Sequence, residues 1–164
     1  MKYCIQSVTN DPDIWKDSDP IHPNIDPKFK TSQGREVFGL KGPDGAWKAF
    51  ICFAITNKVP RNLQELDSMT DKNGTVVVPY SVWSFEKGAG REIINEILWF
   101  ARTVLKNIKR VVTLSPMTSM AENFHLRNGA TKIRINEKTV NFEYELTVCS
   151  SCKCDPCDCD WGIT

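Results

Sequence analysis

Apolar and polar positions alternate most cleanly near the end of the chain. Val140, Phe142, Tyr144, Leu146 and Val148 interleave with Asn141, Glu143, Glu145 and Thr147, the period of two that marks a strand with one buried and one wet face. A period of 3.6 replaces it earlier. Ile93, Ile94, Ile97, Leu98, Ala101, Val104 and Leu105 fall at the spacing of one helix face, which predicts an amphipathic helix reaching about Lys106. Just before that helix, residues 75–85 carry Val76, Val77, Val78, Tyr80, Val82 and Trp83, a β-branched and aromatic run that reads as a buried strand.

The remaining elements follow from weaker patterns. Residues 2–8 read as a first strand. Residues 10–34, dense in Asp and Pro, read as a long loop with one or two short helices and a helical turn at 13–16. Residues 35–41 and 46–56 form a hairpin around Gly42-Pro43-Asp44-Gly45, where Pro presets φ and Gly accepts positive φ. Residues 57–74 make a polar connection with a short helix near 62–69. Residues 109–114 form a strand that Ser115-Pro116 ends. Residues 119–127 form a short helix that Asn128-Gly129 stops. Residues 130–135 pair with 140–148 around Asn136-Glu137-Lys138-Thr139. The sum is a mixed α/β (α+β) domain, not a doubly wound parallel sheet.

Length and charge narrow the classes. At 164 residues, one domain over 1–148 is expected, followed by a cysteine-rich tail over 149–164. The net charge of +1 gives no global field for nucleic acid or an anionic membrane, so neither is expected as a partner. No leader-like apolar run follows Met1, and no stretch nears the ~18 apolar residues of a membrane helix, so a cytoplasmic protein is expected. Of seven cysteines, Cys4 and Cys52 read as small buried residues of strands. Cys149, Cys152, Cys154, Cys157 and Cys159 crowd the tail. The odd total argues against a disulfide scaffold. Clustered thiolates can bind zinc, but zinc sites usually separate their C-x-x-C pairs, so no metal is predicted and a flexible reduced tail stays the alternative.

The chemistry concentrates between the buried strand and the long helix, at Phe85-Glu86-Lys87-Gly88-Ala89-Gly90-Arg91-Glu92. The first N–H groups of a helix lack internal partners and sit at the positive end of its dipole. Glycines let a phosphate approach them. Residues 87–91 are therefore expected to hold a phosphate-bearing cofactor. A P-loop is excluded, because Lys87 precedes Gly88 and no Ser or Thr follows Gly90. A dinucleotide fingerprint is excluded too, because Ile93 stands where a small residue is needed and no acid ends the next strand.

Two motifs instead resemble the GCN5-related N-acetyltransferase family. The family's loop reads R/Q-x-x-G-x-G/A, and Phe85-Glu86-Lys87-Gly88-Ala89-Gly90 matches at both glycines, with Phe85 in place of Arg or Gln. About 31 residues on, Ala121-Glu122-Asn123-Phe124-His125-Leu126-Arg127-Asn128-Gly129-Ala130 is similar to the family's A-x-x-F-Y-x-x-x-G-F at Ala121, Phe124 and Gly129. His125 stands for Tyr, Thr118 for a frequent Asn, and Ala130 for Phe. The Asp-Pro-Trp opening also resembles divergent acetyltransferase-like proteins of phage genomes.

The resemblance implies a splayed mixed sheet that binds acetyl-CoA and direct attack of a primary amine on the thioester. Backbone of Tyr80, Ser81 and Val82 would meet the pantetheine arm. Lys87, Gly88, Ala89, Gly90 and Arg91 would hold the pyrophosphate. His125, replacing the tyrosine general acid, would handle a proton or, protonated, stabilise charge at sulfur. The general base stays open among Glu86, Ser81, Ser84, Tyr80, a water chain and His22. The acceptor, a small-molecule or peptide amine, would sit against residues 10–34 and 57–74, whose acids weakly favour a cation. A homodimer stays open, as does a noncatalytic structural or interaction role, for instance in a virion.

Overall fold

The computed structural model describes residues 3–146. Within them, eight strands form one mixed sheet in the order β1-β2-β3-β4-β5-β8-β6, with β7 on the free side of β8. The first half is an antiparallel meander: β1 (Cys4–Ser7), β2 (Arg35–Lys41), β3 (Trp47–Thr56) and β4 (Val76–Ser84). The glycine-proline turn closes the β2–β3 hairpin, with Gly45 at φ +84°. β4 then runs parallel to β5 (Arg110–Val112) through α3 (Ala89–Thr103). β8 (Thr139–Tyr144) pairs antiparallel with β5, with β6 (Ser115–Pro116) and with β7 (Thr131–Ile135).

Each face of the sheet carries its own core. Ile93, Ile94 and Ile97 of α3 pack on Ile51, Phe53 and neighbouring residues. Each fully buried isoleucine contributes roughly 1.5–3 kcal/mol. That is why α3 holds its glycine-rich start firmly against β4. On the other face Trp15, Phe50, Cys52, Tyr80 and Trp83 cluster beneath the long N-terminal segment. This segment folds as a 3-10 turn (Pro12–Ile14) and a single helical turn, α1 (Pro27–Lys30). Trp15 pins it by donating from Nε1 to Val8 O at 2.8 Å. The helix expected near 62–69 is α2 (Leu63–Met69), capped by the Asn62 side chain.

The parallel pairing of β4 and β5 is short. Only Val76–Arg110 and Val77–Val111 are in register, and Leu114 N–H donates to Pro79 O at 2.9 Å. Beyond Pro79 the two strands part, and the chain from Val111 to Pro116 stays on β8 in one register while β4 diverges from it. Ser115-Pro116 therefore continues the sheet as β6 and does not simply end a strand. Helix α4 (Ser119–Arg127) follows, with the Thr118 side chain as its N-cap, and Gly129 turns the chain at φ +98°.

Two local expectations fail for physical reasons. Cys4 is exposed because β1 is the outer strand of the sheet; Cys52, on central β3, is buried as expected. The wet face of β8 is not wet at Asn141, which is fully buried. Its Nδ2 donates to Pro60 O at 3.0 Å and Thr113 O at 2.8 Å, and its Oδ1 accepts from Arg134 Nε at 3.0 Å. A third element covers that face, which alternation along one strand cannot reveal. The cysteine tail lies outside the described residues. Among the described residues no helix is long and apolar enough to cross a membrane, and no group of His, Cys, Asp and Glu is arranged to hold a metal.

Candidate functional site

Where β4 leaves β5 the sheet opens into a cleft of about 290 Å³. Tyr80, Ser81 and Val82 form one wall, Ser115, Pro116 and Thr118 another, and Phe124 and His125 of α4 a third, with Pro20 and Ile21 reaching in from the N-terminal segment. Among the described residues, its lining holds no lysine, arginine, aspartate or glutamate. The cleft is an uncharged slot edged by hydroxyls and imidazole.

The start of α3 lies at one end of this slot. Gly88 is the N-cap residue at φ +88°, with no side-chain cap, a backbone that only glycine adopts without strain. Among the described residues, the N–H groups of Gly90 and Arg91 meet no acceptor. They are the orphan donors of a helix start, ready for an anion. Gly90 also lines the cleft and packs beneath Phe124, whose Cε1 would lie 2.8 Å from a Cβ at position 90. Lys87, Gly88, Ala89 and Arg91 surround it on the same turn. Lys87 and Arg91 form no ion pair among the described residues. Phe85, where the resemblance wants Arg or Gln, is exposed and packs edge-on against Phe50, so side-chain support for an anion is missing there.

His125 is 6% exposed. Its ring stacks on Phe142 at 5.1 Å, and its Nδ1 lies 2.8 Å from the Tyr144 hydroxyl. Burial lowers its pKa to about 4. Burial thus favours the neutral imidazole near pH 7 over the protonated form considered above. The tautomer decides what the neutral ring can do. With Tyr144 donating to Nδ1, Nε2 carries the proton and can donate to a carbonyl; with Nδ1 donating, Nε2 is a free base. Burial raises the Tyr144 pKa, so its hydroxyl keeps the proton needed for the first arrangement.

A second histidine stands behind the opposite wall. His22 Nδ1 lies 2.7 Å from Ser81 Oγ. Burial lowers its pKa, so this ring also stays neutral. Its position is set by Asp19, whose Oδ1 accepts from the N–H groups of Ile21 at 2.8 Å and His22 at 3.1 Å. Asp19 Oδ2 pairs with Lys30 Nζ at 2.7 Å, both side chains being almost fully buried. Burial works to raise the Asp19 pKa, but the Lys30 and backbone hydrogen bonds outweigh it and hold the carboxyl below its ordinary value. Lys30 Nζ also sits 5.8 Å from the Trp15 ring and 5.9 Å from the Trp83 ring.

The other base candidates sort themselves by contact. Glu86 is held by Tyr3 Oη at 2.7 Å and Lys48 Nζ at 3.2 Å, and these partners lower its pKa; it lies outside the cleft lining. Tyr80 is deeply buried, and its hydroxyl meets no partner among the described residues. Ser84 lines the cleft. The segment 10–34 expected beside the acceptor reaches the cleft at Pro20 and Ile21, whereas no residue of 57–74 lines it; sequence reasoning missed Ser115 and Pro116. Ser115-Pro116 left a signal only as a break in a strand pattern; which residues of 10–34 reach the cleft is a tertiary event.

The chain matches no protein-family model and no curated protein in sequence. Its fold does match solved structures. A malonyl-CoA decarboxylase from Agrobacterium vitis superposes with a TM-score of 0.73 at 15% identity, over 88% of this chain and 60% of that one. The decarboxylase from Rhodopseudomonas palustris gives 0.71 at 16% identity, over 91% and 61%. The chain thus spans about 60% of the length of these decarboxylases. The loading GNATL domain of CurA from Lyngbya majuscula gives 0.67 at 14% identity, over 89% and 98%. The PaiA N-acetyltransferase from Thermoplasma acidophilum, in complex with coenzyme A, gives 0.59 at 12% identity, over 88% and 99%. The fold is that of the GCN5-related N-acetyltransferases, a mixed splayed sheet flanked by helices.

Proposed function

We propose that the cleft takes an acyl-CoA thioester and that the chain transfers its acyl group, in the finer reading an acetyl group to a primary amine. The observation that carries this reading is His125, a neutral imidazole on the wall of an uncharged slot that ends at an uncapped glycine helix start. Backbone of Tyr80, Ser81 and Val82, on the side away from β3, would meet the amides of the pantetheine arm. The Gly90 and Arg91 N–H groups would receive phosphate, with Lys87 and Arg91 adding charge. His125, with Nε2 protonated, would polarise the thioester carbonyl; in the other tautomer it would take a proton from the attacking amine. The fold match to an N-acetyltransferase in complex with coenzyme A supports the substrate class.

The test is calorimetric titration of the full chain with acetyl-CoA, followed by thiol release in the presence of mixed primary amines. Binding with amine-dependent CoA release is the expected result. His125→Ala should keep binding but lower turnover by about 10²–10⁴-fold. No heat of binding at roughly millimolar ligand would overturn the reading and leave a noncatalytic role for the fold.

One observation favours a second reaction on the same thioester. Among the described residues the cleft lining offers no carboxylate to attract a cationic amine, and the carboxylate of nearby Asp19 is paired with Lys30. Loss of carbon dioxide from a malonyl thioester needs no acceptor. It needs a donor to the enolate oxygen and a proton for the α-carbon, and an Nε2–H of His125 would be such a donor. The match to malonyl-CoA decarboxylases points the same way. Malonyl-CoA converting to acetyl-CoA without added amine would establish this reading; amine-dependent release from acetyl-CoA alone would exclude it.

A further inference from the structure

β4 carries an irregularity with a chemical consequence. Cys52 of β3 is in register with Ser81, but the next residue, Phe53, is in register with Pro79. Tyr80 is therefore an extra residue, and the strand bulges there. Pro79 falls opposite Phe53, which belongs to the core under α3. Ser81 falls opposite Cys52, which belongs to the core under the N-terminal segment. Strict alternation would have given Pro79 and Ser81 the same face. The bulge turns Ser81 toward the N-terminal segment instead, and there it meets His22.

What it meets is held in place. The His22 N–H is fixed by Asp19, and His22 O lies 3.4 Å from Lys30 Nζ. The Asp19–Lys30 pair is itself anchored in the core. The charged groups facing His22 are this carboxylate and this ammonium, which act on the ring in opposite directions. Ser81 lines the cleft together with Pro20 and Ile21, whereas His22 stands outside the lining, behind the serine. Ser81 is a buried cleft residue whose Oγ lies 2.7 Å from an imidazole outside the lining, and a serine so paired has the hydrogen bond of an activated nucleophile.

We propose that Ser81 accepts the acyl group before any final acceptor does, with His22 as its base, so that the reaction passes through an acyl-serine. This inference rests on the acyl-CoA reading above. In the first half-reaction a lone pair of Ser81 Oγ forms a C–O bond to the thioester carbonyl carbon. The C–S bond breaks with its electron pair going to sulfur. The Oγ proton passes to His22 Nδ1 and then to the sulfur, releasing the CoA thiol. In the second half-reaction the acceptor nitrogen bonds to the ester carbonyl carbon, the C–O bond breaks, and the nitrogen's proton returns through His22 to Ser81. His22 must begin with Nδ1 unprotonated, and its neutral state at pH 7 permits this.

The experiment is isotope exchange. The full chain is incubated with unlabelled acetyl-CoA and isotopically labelled CoA, without any acceptor, and label entering acetyl-CoA is followed by mass spectrometry. An acyl-serine predicts exchange at a rate matching turnover, because the first half-reaction is reversible. Ser81→Ala should abolish exchange, and His22→Gln should slow it by about 10²-fold or more. Acid-quenched protein should carry one acetyl group on Ser81. Acetyl-CoA that binds and turns over without exchange would overturn the acyl-serine and leave direct attack standing. Exchange that persists in Ser81→Ala, with only a lowered Tm, would reduce the Ser81–His22 bond to a strap on the N-terminal segment. Absence of acetyl-CoA binding would overturn both proposals.

Discussion

Gly90 and Phe124 touch across the cleft, a glycine of the α3 start lying under an aromatic ring of α4. A Cβ on residue 90 would stand 2.8 Å from Phe124 Cε1 and 3.2 Å from Cζ. Gly90→Ala therefore has two opposing effects. A helix gains up to ~1 kcal/mol when Ala replaces Gly, while overpacking costs about 1–3 kcal/mol. The net expectation is a loss of roughly 0–2 kcal/mol in chemical denaturation. The functional effect should be larger, because Phe124 lines the cleft and must move. Acetyl-CoA affinity by calorimetry should fall well beyond what the stability change explains. Unchanged affinity in Gly90→Ala would show that the ligand passes elsewhere.

Stability should depend on pH through His125. Its folded pKa of about 4 lies below the ordinary 6.5, so between these values the unfolded chain binds the proton that the native chain refuses. Stability is complete above about pH 6.5 and is lost as pH falls through about 4, by roughly 3 kcal/mol from this one group. Asp19, also held below its ordinary value, adds a loss in the same direction at more acid pH. Denaturation of His125→Phe between pH 7 and 4 checks the assignment, since it should reduce the slope above pH 4 to what His22, also held below its ordinary value, contributes. Tyr144→Phe should cost about 1–3 kcal/mol by stranding Nδ1 without a partner.

The pair of Lys30 and Asp19 gives a sharper test of how the N-terminal segment is held. Both side chains are almost fully buried at 2.7 Å. Removing one partner of such a pair costs about 3–5 kcal/mol, because the survivor is a buried charge without compensation. Lys30→Met and Asp19→Leu should each cost this much, and the double substitution should recover most of the loss. Asp19→Leu also removes the acceptor that positions His22, so turnover should not recover with stability in the double variant. A double variant as unstable as either single one would mean that the Ile21 and His22 N–H groups left without Asp19, and not the unpaired charge, carry the loss.

The parts legible in sequence are those that one segment decides alone. Arg35 to Lys41 and the Gly42-Pro43-Asp44-Gly45 turn were readable because Pro and Gly fix local φ. The α3 face was readable because its isoleucines repeat at 3.6 residues. Asn141 was not, because its burial comes from Pro60, Thr113 and Arg134, residues distant in the chain or on another strand. The site divides along the same line. The glycine turn and His125 carry local signatures. The turning of Ser81 toward His22 depends on a bulge in the pairing of β3 with β4; Pro79 inside the strand is compatible with a bulge, but its register and the partner it finds are not legible in residues 79–81.

Lys87 and Arg91 should separate charge from backbone in ligand binding. Both are on the turn whose Gly90 and Arg91 N–H groups lack acceptors, and neither is committed to an ion pair among the described residues. At an exposed helix start such charges are worth about 0.3–1 kcal/mol each. Lys87→Ala and Arg91→Ala should therefore weaken CoA binding by only about two- to fivefold each. The loss should be greatest at low ionic strength and shrink as salt screens the exposed charges. Pantetheine, which has no pyrophosphate, should bind both variants as well as it binds the parent chain. Gly88→Ala should behave differently. It forces a non-glycine residue to φ +88°, displaces the donors themselves, and should weaken CoA binding at every salt concentration. Calorimetric titrations of CoA and pantetheine at two ionic strengths resolve the two contributions. An equal loss for pantetheine in Lys87→Ala would move the phosphate away from this turn.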